Sequence, residues 1–192
     1  HGGDFSLTGY PPCDVEYWQK LFQTCKAWGL NHVRFHSFCP PEAAFIAADE
    51  LGIYLQIEPG MWNEISPGTQ MERMLYDETE RIIKYYGNHP SFVLLSPSNE
   101  PKGRWKESLP KWVKHFRERD PRHLYTTGTG WSLIDEPQPV ADKVDYLAVH
   151  RIGQNMMRGN SAWFGRDYAL SMRGVDVPNL VHENGQWCAY PD

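Results

Sequence analysis

Residues 92–101 read FVLLSPSNEP. Four consecutive apolar residues, Phe92 to Leu95, have the continuous pattern of a strand buried on both faces, not the alternation of a half-exposed one. The run then gives way to Asn99 and Glu100, with Pro101 immediately after. A carboxylate beside buried structure costs several kcal/mol unless it is paired or neutralised, so its place at the end of a hidden strand points to a use.

The same arrangement recurs on both sides of this stretch. Val15, Trp18, Phe22 and Cys25 have helical spacing after Asp14, and Gly29 is a natural stop. A strand follows in NHVRFHS. Pro40-Pro41-Glu42 opens a second helix, Gly52 closes it, and IYLQIE is the next strand. Met71 to Tyr86 predicts a third amphipathic helix, stopped by Gly87 before FVLLS. Lys111 to Arg119 then reads as helix, LYTTG and DYLAVH as strands, the stretch near Tyr168 to Met172 as a short helix, and NLVHE as a strand. Short apolar strands alternating with helices predict parallel βα units. They recur about every thirty residues, the pace of an eightfold barrel of about 250 residues. The expected fold is therefore an α/β, (β/α)8 TIM barrel, of which this chain is an excerpt from about the second to the seventh strand. A doubly wound nucleotide-binding sheet is the rival, but no G-x-G-x-x-G follows any strand and no phosphate-binding loop occurs.

Composition narrows the function. The net charge of −5 comes with no block of Lys or Arg, which argues against nucleic acid or an anionic membrane as partner. No apolar run approaches the roughly twenty residues of a membrane span. The chain opens HGGDFS, so a signal peptide, if the protein has one, is expected outside this sequence. Cys13, Cys25, Cys39 and Cys188 are too scattered for a disulfide scaffold and are read as thiols, with a Cys39–Cys188 bridge as the alternative. His32, His36, His150 and His182 suggest a metal, but H-x-H and H-E-x-x-H are both absent and none is expected.

In a βα barrel the chemistry collects at the C-terminal ends of the strands. Those ends carry Arg34, His36 and Ser37, then Glu58, then Asn99 and Glu100, then Thr127 and Thr129, then His150 and Arg151, then His182 and Glu183. Glu100 and Glu183 each follow an apolar run, three strands apart. Two carboxylates facing one pocket suit glycoside hydrolysis: one protonates the leaving oxygen, and the other attacks the sugar carbon or activates water. At about 5 Å and an effective dielectric of about 20 they repel by roughly 3 kcal/mol, which raises one pKa by about two units and leaves that carboxyl able to act as acid. The plainer alternative is a pair of rim carboxylates salt-bridged to Arg34 or Arg151. Trp18, Trp28 and Trp112 fall within helices and read as packing. Trp62, Trp105, Trp131 and Trp187 each follow a strand end, where an indole face suits the apolar face of a pyranose.

VRFHSFCPPEAAFIAADELGIYLQIE, HPSFVLLSPSNEP and LVHENGQW together resemble the central barrel of glycoside hydrolase family 2, the group of β-galactosidases, β-glucuronidases and β-mannosidases. The resemblance covers essentially the whole chain. Its specific element is Asn-Glu after the fourth barrel strand combined with Glu after the seventh. It implies Glu100 as general acid/base, Glu183 as nucleophile and Asn99 as donor to the sugar 2-hydroxyl. It also implies that Arg34 holds the nucleophile and that Glu58 is a carboxylate of the same pocket, with His36, Trp131, His150 and Trp187 as further substrate contacts. Retention through a covalent glycosyl-enzyme follows, with no cofactor.

Three positions depart from the family pattern: Ser98 stands where glycine is common, after Pro97. Ser37 replaces a histidine, with His36 one position earlier, and His150 stands where tyrosine is frequent. These neighbours shape the pocket around the sugar and leave the carboxylate pair intact. The HENGQW ending is similar to branches from polysaccharide-degrading gut bacteria.

The expectation is a retaining exo-acting β-glycosidase whose partner is a carbohydrate, periplasmic or secreted, with residues 1–192 a single partial barrel domain and β-sandwich domains flanking it outside this sequence. Self-association as a homo-oligomer stays open. The alternatives are a barrel that binds carbohydrate without cleaving it, and an endo-acting cellulase-like or mannanase-like hydrolase of the same clan.

Overall fold

The computed structural model describes residues 5, 9–130, 141–149, 151–152, 155–156 and 175–181. The first helix, α1 (Val15–Ala27), begins where the Asp14 carboxylate accepts from the Glu16 N–H and buries Trp18 and Phe22. It packs against α2 (Glu42–Leu51), whose buried face is four alanines and Phe45, and which ends on Gly52 in the left-handed conformation at φ 68°. A residue with a Cβ adopts that conformation only at a cost. The remaining helices are α3 (Gln70–Tyr86) and α4 (Trp105–Arg119).

Strands β1 (His32–Arg34), β2 (Tyr54–Ile57), β3 (Phe92–Leu95) and β4 (Leu124–Tyr125) form a parallel sheet in chain order. Strands β5 (Thr129–Gly130), β6 (Leu147–Val149) and β9 (Asn179–Val181) form a second parallel sheet, also in chain order. A small antiparallel pair joins β7 (Arg151–Ile152) to β8 (Asn155–Met156). The two parallel sheets meet along residues 124–130, where the Asp145 N–H donates to the Tyr125 carbonyl at 2.8 Å. Among the described residues the order of neither parallel sheet reverses, as it must at the switch point of a doubly wound sheet. The described residues thus show an α/β fold of parallel sheets, and closure into the expected TIM barrel is not among the features they display.

Period-two alternation sorts the strand residues onto two faces. Val33, Phe35, Leu55, Ile57, Leu147 and Val149 join the main core with the buried stripes of the helices. Tyr146, Ala148 and Leu94 form a separate small cluster on the other face. The sheet is buried on both sides, as its uninterrupted apolar runs predict. Arg34, Gln56 and Glu58 alternate with the helix-facing residues, so they stand on the second face too.

Three expectations need correction. LYTTG is strand only at Leu124–Tyr125: β4 ends there and β5 begins at Thr129, just after Gly128, whose φ is 153° and whose missing Cβ leaves room for the Pro101 ring, 3.1 Å from where a Cβ would sit. Helix α4 begins at Trp105, six residues before Lys111, and runs through Pro110. Trp105 is therefore a core residue, 9% exposed, and not part of a sugar-binding rim. Trp28, expected to pack within α1, caps its C-terminus and is 81% exposed. The predicted helix near Tyr168 to Met172 lies outside the described residues.

Candidate active site

Arg34, Glu58 and Asn99 come from the ends of three neighbouring strands and meet in a buried cluster. The Arg34 guanidinium donates to Glu58 twice, through Nε to Oε1 at 2.6 Å and through an Nη to Oε2 at 3.1 Å, and its Nη also donates to Asn99 Oδ1 at 2.7 Å. Glu58 is fully buried. Its carboxylate further accepts from Ser37 Oγ at 2.9 Å, Gln56 Nε2 at 3.1 Å and Thr129 Oγ1 at 2.7 Å. A buried carboxylate held by a bidentate arginine and three neutral donors has both its charge and its lone pairs satisfied. Glu58 thus braces Arg34 in the buried cluster.

The guanidinium fixes the orientation of Asn99. Arginine has only donors, so the amide oxygen must face it, and the Nδ2 amino group is directed away. Asn99 is 1% exposed, and its backbone is held on both flanks. On one side its N–H donates to the Met61 carbonyl at 3.0 Å. On the other, Glu100 N–H donates to Thr129 O at 2.7 Å and Thr129 N–H to Ser98 O at 2.9 Å, a parallel bridge between Asn99 and Thr129.

Glu100 is the one non-glycine residue with positive φ among the described residues, at 41°. The pairing explains it. Beyond β2 and β3 the chain continues as a narrow ribbon, with Lys102 N–H donating to Asn63 O at 3.3 Å and Ile65 N–H to Lys102 O at 3.0 Å. Between the two donations to this ribbon one side advances from Met61 to Asn63 and the other from Asn99 to Lys102, so the Glu100 side carries one residue more. An extra residue is a β-bulge, which bends the strand and re-aims a side chain. Glu100 itself is half-buried, next to the buried cluster.

His36 and Trp62 stand over the same end of the sheet. Their rings meet edge to face, with centroids 5.3 Å apart and planes at 87°. Ser37 Oγ, which donates to Glu58, is 3.5 Å from His36 Nδ1. On the second face below, the Tyr146 hydroxyl is buried with no hydrogen-bond partner among the described residues, and burial together with the Glu58 charge pushes its pKa well above the ordinary tyrosine value.

Of the residues expected at the site, Arg34, His36, Glu58, Asn99 and Glu100 are brought together. Trp131, His150, Glu183 and Trp187 lie outside the described residues, as does Cys188, while Cys13, Cys25 and Cys39 are free thiols. Among the described residues no three His, Cys, Asp or Glu side chains gather as metal ligands, and no helix is long and apolar enough to cross a membrane. Gln56 and Tyr146 went unremarked in the sequence. Counting back two residues from Glu58, and two from Ala148, places each on the same face as its neighbour and was the available signal.

No protein-family model matches the chain, and no curated protein does. Solved structures share its fold. A β-D-glucuronidase from Dictyoglomus thermophilum is 24% identical, with a TM-score of 0.59 over 72% of this chain and 26% of its own. An FMN-binding β-glucuronidase from Facaelibacterium prausnitzii L2-6 is 20% identical, with a TM-score of 0.59 over 74% of this chain and 23% of its own. A glycosyl hydrolase family 2 member from Bacteroides cellulosilyticus DSM 14838 is 18% identical, with a TM-score of 0.59 over 72% of this chain and 19% of its own. The chain thus spans about a quarter or less of the length of these proteins.

Proposed function

We propose that the chain is part of the catalytic TIM barrel of a retaining exo-acting β-glycosidase of the glycoside hydrolase family 2 kind, hydrolysing terminal β-linked sugars. The observation that carries this reading is the buried Arg34–Glu58–Asn99 brace at the strand ends, with Glu100 turned out of the ribbon beside it. The shared fold adds support, since the proteins that have it are described as β-glucuronidases and a glycosyl hydrolase family 2 member.

In this reading the Asn99 amino group donates to the hydroxyl next to the anomeric carbon. Glu183 attacks that carbon, Glu100 protonates the departing oxygen, and Glu100 then takes the proton from the water that releases the sugar. His36, Trp131, His150 and Trp187 line the sugar, while Arg34 orients Asn99 and completes the pocket toward Glu183. The six strands expected along the chain supply six of the eight in such a barrel. In this reading the remaining strands and flanking β-sandwich domains belong to a longer protein that is periplasmic or secreted.

The test uses the full-length protein with aryl β-glycosides of galactose, glucuronic acid, mannose, glucose and arabinose. One sugar is expected to release its aryl group, and Glu183→Gln to abolish the release. Glu100→Gln is expected to cost about 10² to 10⁴ in rate on poor leaving groups. Undiminished activity of Glu100→Gln on those poor leaving groups would overturn the assignment, and binding without cleavage in the wild type would make the barrel a carbohydrate-binding one.

A further inference from the structure

Trp62 is tied to the bulge that carries Glu100. Its neighbours Met61 and Asn63 each accept a backbone hydrogen bond from the Glu100 side, from Asn99 at 3.0 Å and from Lys102 at 3.3 Å. Glu64 and Lys102 pair as a parallel bridge, so stepping back along both chains brings Trp62 opposite the Asn99–Glu100 step. The position of the indole backbone is therefore set by the same bonds that set the carboxylate.

Among the described residues, the Trp62 indole has one ring neighbour, His36. The His36 ring meets it at right angles, with centroids 5.3 Å apart. Trp62 is 58% exposed, against 9% for Arg34, 0% for Glu58 and 1% for Asn99. The cluster is thus the floor of the site and Trp62 stands above it, at the level of the mouth.

Resting on the glycosidase reading, we infer that Trp62 is a stacking platform for a sugar in the leaving-group position. Glu100 must reach the glycosidic oxygen, which joins the reacting sugar on the floor to the group that departs. An indole beside Glu100 and above the floor faces that departing group. A pyranose leaving group offers an apolar C–H face to stack on it, whereas a small inorganic leaving group offers none. The natural substrate is accordingly a β-linked disaccharide or oligosaccharide, not a glycoside of a small alcohol.

The test compares two substrates with the same reacting sugar in the full-length protein: a β-linked disaccharide and the glycosyl fluoride. In Trp62→Ala the ratio of kcat/KM for disaccharide over fluoride is expected to fall about tenfold, the size of one lost aromatic face contact. Trp62→Phe should recover most of it, which separates stacking from a folding defect. An unchanged ratio, whether both rates hold or both fall together, would overturn the platform. If the wild type cleaves neither substrate, the glycosidase reading itself fails and the platform with it.

Discussion

Arg34 and Glu58 are a buried ion pair whose worth lies in what happens when half of it is removed. Transfer of both charges from water roughly cancels their attraction, but a lone carboxylate left in the cluster has no compensation. Among the described residues, Glu58 retains the Ser37, Gln56 and Thr129 donors once the guanidinium is gone. Arg34→Ala is expected to destabilise the protein by about 3 to 5 kcal/mol, read from the urea midpoint at constant slope. A loss below about 1 kcal/mol, the range of an exposed pair, would show that water reaches Glu58. The same reasoning explains why Asn99 sits where it does: its oxygen accepts from the buried guanidinium, which turns its amino group away.

Helix α4 shows how packing overrides a local signal. Proline inside a helix forfeits a hydrogen bond and costs about 3 kcal/mol, so the sequence favours a start after Pro110. Yet Trp105, Leu109, Trp112, Val113 and Phe116 form one buried stripe across that proline. Full burial of each large side chain contributes about 1.5 to 3 kcal/mol, and that outweighs one missing bond. The stripe is joined to α3 by a polar contact: the Trp112 indole N–H donates to Thr79 Oγ1 at 3.3 Å, and that hydroxyl donates to the Leu75 carbonyl at 2.7 Å. Thr79→Val keeps the shape and leaves the indole N–H without an acceptor. It should cost about 1 to 3 kcal/mol in equilibrium unfolding. An effect near zero would mean that the indole finds another acceptor.

Over the whole molecule, buried histidines couple stability to acid. Burial, reinforced by the Arg34 charge, lowers the His32 pKa to about 4, and burial also lowers that of His123. Both titrate near 6.5 when unfolded, so between about pH 6.5 and 4 the unfolded chain binds more protons than the folded one. Stability therefore rises with pH in that window and is lost as pH falls through it. The urea midpoint should drop between pH 7 and 4.5, and drop less steeply in His32→Asn. Parallel curves for the two proteins would remove His32 from the account.

The elements and the faces of the strands follow from local chemistry. Side-chain periodicity, glycine stops and continuous apolar runs act over a few residues, and they suffice to place α1 to α3, the parallel strands, and the polar ends at Arg34, Glu58, Asn99 and Glu100. What those residues touch could not be read in the same way. That Thr129 bonds Glu58, that Glu100 occupies a bulge, and that Trp62 stands opposite it all depend on the hydrogen-bond register between segments distant in sequence. Likewise, the Pro101 ring lies where a Cβ at position 128 would crowd it, and Trp105 enters the core because its helix continues through Pro110. Local preferences determine which conformations a segment favours. Register and packing determine which segments lie opposite each other, and only the folded chain brings those partners into contact.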